Sequence, residues 1–328
     1  MSTFWNRRVV PYSVGALEFL QNLVSNVRDA VRASSTSDTQ DPPGDFSGKV
    51  CIVTGANAGI GRSTAAAIFQ RGGVVVLACR SRSRGEQAVQ ALQQMQPASG
   101  IMAPPVRSET EDGLEQQFQV NFLGHWRLVH DLVANQASLR RPRKAPAQHT
   151  ADSDGASLRV IWLTSMTHVG AHLDFKDLQL RKGYSGFLGY ANTKLAGILA
   201  IKEFQQRMDR CNGRHQQKAV FCSVHPGFVN TDLANGWLTG SDVVPAAVQQ
   251  IIRPLVRAIC PWILVSPSKA VQTILYAASA PSAEISGKYI AGGKVVQPSR
   301  QAQDDQLSAR LWEASQKLSD TAIAPCFQ

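Results

Sequence analysis

Apolar residues follow two rhythms along this chain. Short, mostly apolar runs at Val50–Val53, Val74–Cys79, Leu158–Leu163 and Ala219–Val224 read as strands buried in a parallel sheet. Between them the apolar residues recur at helical intervals, through Ser63–Phe69, around Arg84–Met95, along Leu195, Ile198, Leu199, Ile201 and Phe204, and through Ser268–Ala278. Gly287–Ala291 reads as a last strand. Alternating strand and helix predicts an α/β fold built on a doubly wound parallel sheet.

Two stretches lie outside that alternation. Val14, Leu17, Leu20, Val24, Val27 and Val31 step by three or four, so a helix from Ser13 to Arg32 would carry one apolar stripe. That stripe can pack on the domain, rest in a membrane interface or belong to a targeting peptide, and the pattern leaves the three open. Ser34–Phe46, rich in Ser, Asp and Pro, reads as a linker, so residues 1–45 form an extension and 46–320 the main domain, with 321–328 as a tail. Residues 236–267 are strongly apolar, and fit either a helical lid over a hydrophobic ligand or a helix pair covering the core. The longest uncharged apolar stretches fall well short of the ~18 residues of a membrane span.

Composition narrows the partners. With 44% hydrophobic and 18% charged residues, 328 residues can build a substantial core. The net charge of +10 is compatible with an anionic partner, but the basic residues are dispersed. Their densest cluster, Arg140–Lys144, sits in a Pro- and Gln-rich loop without apolar periodicity, and no nucleic-acid-binding motif is present. The six cysteines have neither CxxC nor Cys/His ligand spacing, which predicts reduced thiols in an intracellular compartment and no metal site.

The chemistry concentrates at two places. Gly55-Ala-Asn-Ala-Gly59-Ile-Gly61 lies between a strand and a helix, where backbone N–H groups and the positive helix end can receive a pyrophosphate. The second strand ends at Arg80, the position that faces the adenosine ribose in such a unit; an arginine there accommodates a 2′-phosphate and predicts NADP(H). Tyr190 and Lys194 are four apart at the start of a helix, on one face, where the ammonium would favour the phenolate and suit the tyrosine to proton transfer.

Together these stretches resemble the short-chain dehydrogenase/reductase family. Thr54–Gly61 is similar to its TGxxxGIG turn, Tyr190 with Lys194 to its YxxxK pair, and Pro226-Gly227 to its PG motif. Glu111–Glu115 and Val120–His125 resemble the EDGxE and VNxLGHF stretches of the retinol-dehydrogenase-like branch. The resemblance implies a Rossmann-like sheet with Tyr190 as general acid/base, Lys194 holding the nicotinamide ribose, Ser165 on the substrate oxygen, and Asn121 at a helix distortion supporting a water. It implies NADP(H) contacts from Gly55, Asn57, Gly59, Ile60, Gly61, Arg80, Tyr190, Lys194, Pro226, Gly227 and Thr231. The implied function is interconversion of a hydrophobic alcohol with its aldehyde or ketone, with peripheral membrane contact and a homo-oligomer left open.

One departure stands out. Residues 96–113 hold only brief apolar pieces broken by proline and glycine, too poor for the third and fourth strands that the family has between the second helix and Asn121. Ser99-Gly100 matches only the tail of its NNAG motif, and about forty residues of the doubly wound unit are lacking. The first and fifth strands of the family's sheet must then pair directly or leave a gap. This departure supports an alternative, a catalytically impaired relative that binds the cofactor or a partner.

Overall fold

The computed structural model describes residues 44–57, 59–79, 104, 106–134, 158–211, 219–227 and 267–319. The expected 13–32 helix, the helix around Arg84–Met95, Arg80, the 140–144 cluster, Thr231, most of 236–267 and the tail lie outside them.

Strand β1 (Val50–Thr54), helix α1 (Gly59–Gln70) and strand β2 (Val74–Ala78) form the expected parallel unit, with Val50 opposite Val74 and Thr54 opposite Ala78. A short helical turn (Gln116–Phe118) and a π-helical segment (Gln119–Leu123) then lead into α2 (Gly124–Ala134). Strand β3 (Leu158–Leu163), a 3-10 turn (Met166–Gly170), α3 (Gly186–Cys211) and β4 (Ala219–His225) follow, then α4 (Pro267–Ser279), β5 (Tyr289–Ala291), β6 (Lys294–Val296) and α5 (Asp305–Ser319). The hairpin to β6 adds an antiparallel strand beyond the one expected to be last.

The strands fall into two sheets, β1-β2 and β3-β4-β5-β6. Among the described residues β1 hydrogen-bonds only to β2, and β3 only to β4, so direct pairing of β1 with β3 is not seen there. One layer of helices braces the two sheets. Phe46, Ile68 of α1 and Val271 and Leu275 of α4 cluster against Cys51, Val53 and Val75, while α4 also packs on Val220, Cys222 and Val224 of β4, where Ile60 of α1 joins Ile161 and Leu163 of β3.

Among the described residues the other layer covers only the larger sheet. Trp126 of α2, Leu195, Leu199 and Phe204 of α3 and Trp312 of α5 pack with Trp162 and Phe221 into the main core. Among the described residues nothing covers the corresponding face of β1-β2. Val50, Ile52, Val74 and Val76, brought side by side by the strand register, are 63%, 50%, 57% and 45% exposed. In a right-handed doubly wound sheet this face is covered by the helix crossing from the third strand to the fourth; no such helix is found among the described residues.

Candidate active site

The glycine turn after β1 has the geometry its sequence predicts. Gly55 and Gly59 have φ of 64° and 50°, and a Cβ on either would meet nothing within 4 Å, so open space lies above the start of α1. A Cβ on Gly61 would lie 2.6 Å from the Gly55 carbonyl oxygen, so only glycine lets the helix approach its strand. Asn57 and Ile60 are half-buried in this turn. The turn provides both room and backbone donors for a pyrophosphate.

Ile60 packs on the same buried cluster as Leu163 at the end of β3, which brings the turn towards the second group of site residues. There Ser165 is extended (φ −148°, ψ 153°) and caps the 3-10 turn, its Oγ accepting from Thr167 N–H at 3.3 Å. Helix α3 is fastened over this strand end. Thr164 Oγ1 donates to the Lys194 carbonyl (3.1 Å) and Asn192 Oδ1 accepts from His172 N–H (2.8 Å), while within the helix Thr193 Oγ1 donates to the Tyr190 carbonyl (2.7 Å). Gly189 lets the helix approach Gln117, whose Nε2 would lie 2.7 Å from an added Cβ.

Lys194 Nζ donates to the Leu163 carbonyl at 3.3 Å and stands 5.1 Å from the centre of the Tyr190 ring. Tyr190 faces Ser165, which hydrogen-bonds it. Ser165, Tyr190 and Lys194 are thus brought together. Asn121 falls within the π-helical segment, the distortion expected of it. Pro226 and Gly227 follow the end of β4, Gly227 with φ 91°.

The expected phenolate is corrected by burial. Desolvation raises the Tyr190 pKa above its ordinary value, with the Ser165 hydrogen bond pulling the other way. Desolvation also pushes Lys194 down to about 8. At neutral pH Tyr190 is therefore a protonated phenol, a proton donor more than a base.

Two histidines escaped the sequence reading. His125 Nε2 lies 3.2 Å from Thr54 Oγ1, linking α2 to the end of β1 across the gap, and desolvation followed by the Lys194 charge holds its pKa low. His168 lies one 3-10 turn beyond Ser165, its Nδ1 2.8 Å from the Ser165 carbonyl oxygen and its Nε2 3.1 Å from Ser299 N. The spacing of His125 four residues after Asn121 was a usable signal; nothing local marks His168. Among the described residues no cluster of side chains could hold a metal ion, and no helix is long and apolar enough to cross a membrane.

Comparison with known proteins points the same way. The family model described as short chain dehydrogenase matches residues 49–154. Human Retinol dehydrogenase 13 is 32% identical, with 83% of this chain and 84% of that protein covered. Mouse Polyprenol dehydrogenase is 29% identical, with 97% and 96% covered. A crystal structure of an uncharacterized protein from Mycobacterium paratuberculosis shares the fold, with a TM-score of 0.61 at 24% identity over 85% of this chain and 96% of that one.

Proposed function

We propose, from the premise that the chain belongs to the short-chain dehydrogenase/reductase family and its retinol-dehydrogenase-like branch, that it is an NADP(H)-dependent oxidoreductase acting on a hydrophobic alcohol and its aldehyde or ketone. Interconversion of alcohol and carbonyl is the chemistry its relatives' names carry; the cofactor, direction and site residues are our reading. The observation that carries it is the convergence of Ser165, Tyr190 and Lys194 at the end of β3, beside the glycine turn.

The residues fit a dinucleotide. Gly55, Asn57, Gly59, Ile60 and Gly61 would hold the pyrophosphate at the start of α1, and Arg80 would take the 2′-phosphate of NADP(H). Pro226, Gly227 and Thr231 would border the nicotinamide end. The cofactor supplies the hydride. Ser165, its Oγ accepting from Thr167 N–H, would turn its hydroxyl hydrogen from Tyr190 to the substrate oxygen when substrate binds. Tyr190, kept protonated by burial, donates the proton that this oxygen needs as it becomes an alcohol. Lys194, with its pKa near 8, holds the ribose and returns a proton to the tyrosine through the water that Asn121 supports. A protonated tyrosine and a 2′-phosphate site both favour reduction.

The test is NADPH oxidation by the purified chain with long-chain and isoprenoid aldehydes. Tyr190→Phe should abolish turnover while leaving the rise in melting temperature caused by NADPH. Arg80→Glu should lose the preference for NADPH over NADH. Turnover undiminished by Tyr190→Phe would refute the mechanism.

A second reading, a cofactor binder with impaired chemistry, is favoured by the gap between the sheets. The comparison with Retinol dehydrogenase 13 supports it too: it runs over 312 positions yet spans 83% of 328 residues, so about forty positions face gaps in this chain. Stabilisation by NADPH without turnover would select it.

A further inference from the structure

We infer that His168 is a positioning residue for the reaction, one ring nitrogen fixing the backbone of Ser165 and the other anchoring the segment that follows the last hairpin. The inference rests on the alcohol/carbonyl reaction proposed above.

The two hydrogen bonds define a single state of the ring. A backbone carbonyl only accepts, so the nitrogen 2.8 Å from the Ser165 oxygen, Nδ1, carries the hydrogen. A backbone N–H only donates, so the nitrogen 3.1 Å from Ser299 N, Nε2, is bare. Only the neutral Nδ1–H tautomer satisfies both. The ring is 3% exposed and stands 5.4 Å from the Tyr289 ring of β5. Burial pushes its pKa down to about 4, against the Ser165 hydrogen bond, which agrees with the neutral form that the geometry demands.

The backbone N–H of His168 also donates to the Ser165 carbonyl, at 3.2 Å. One residue therefore engages that oxygen twice and sets the plane of the peptide after Ser165. With that plane fixed, Ser165 is held extended and its Oγ is directed at Tyr190. The far end of the clamp, Ser299, lies between β6 and the turn Gln301–Gln303 that precedes α5. The serine thus takes its aim from a segment 131 residues downstream of His168.

Two near-isosteres separate this role from simple packing. Asparagine at 168 presents an amide N–H near the place of Nδ1 and keeps the bond to Ser165; glutamine presents its oxygen near the place of Nε2 and keeps the bond to Ser299. We expect His168→Asn to retain kcat within about threefold and His168→Gln to lower it about 10- to 100-fold, the scale of a small misplacement of a reacting group. Both should keep the KM for the aldehyde and the NADPH-induced rise in melting temperature. Equal kcat in the two variants, or losses that follow melting temperature alone, would overturn the positioning role while leaving the reaction standing. A wild-type chain stabilised by NADPH but unable to reduce any aldehyde would overturn reaction and role together. Should either variant fail to fold, nitrogen-15 NMR of the wild-type imidazole decides: a protonated Nδ1 with a bare Nε2 is expected, and the opposite tautomer overturns the clamp.

Discussion

Mild acid should unfold this protein through two neighbouring histidines. His168 and His225 have pKa values pushed down by burial to about 4 and about 3, from 6.5. The folded state therefore refuses protons that the unfolded state accepts, and the stability present above pH 6.5 is lost as pH falls towards these values. At pH 5 an unfolded histidine favours its charged form by about thirty to one, whereas both buried rings remain mostly neutral; each then forfeits about 2 kcal/mol relative to pH 7, and the pair about 4 kcal/mol. His125 and His130, also lowered chiefly by burial, act in the same direction. The depressed carboxylates Asp45, Asp177 and Asp305 start from 3.8, so their losses fall at lower pH and leave the window from 7 to 5 to the histidines. Urea titrations at pH 7, 6 and 5 measure the loss. Replacing either His168 or His225 by glutamine should remove about 2 kcal/mol of the difference between pH 7 and pH 5, whatever it does to stability at pH 7. Wild-type pH dependence in both variants would refute the assignment of neutral buried rings.

Two further substitutions probe the scaffold. Gly197→Ala places a Cβ 2.5 Å from Trp162 Nε1 in the main core and should cost about 1–3 kcal/mol in a urea titration. On the bare face, Ile52 and Val76 are directly opposed, so Ile52→Lys with Val76→Glu should change stability by less than about 1 kcal/mol. Light scattering should report slower aggregation of that double variant. Val53→Asp, on the face against α1 and α4, should instead unfold the β1-β2 unit.

Much of this architecture was legible because its signals are local. The runs at Val50, Val74, Leu158 and Ala219 became strands within a residue or two, since four or five consecutive apolar residues between turns suit little else. The glycines of the first turn announced a backbone with positive φ, and Tyr190 with Lys194 announced a shared helix face. Gly292-Gly293, with φ of 60° and 71°, was a readable hairpin signal for β6 that passed unused. What escaped depends on distant neighbours. The charge of Lys194 is visible in sequence, but the burial that raises the Tyr190 pKa is created by packing. His168 has its second partner 131 residues away, and no spacing rule reaches that far.

The bare face of β1-β2 has a colloidal consequence. Four branched side chains in register, beside a strand whose second edge has no partner among the described residues, form a template on which further strands can add. Association through that template would rise with concentration, so dilution is the simplest variable that suppresses it.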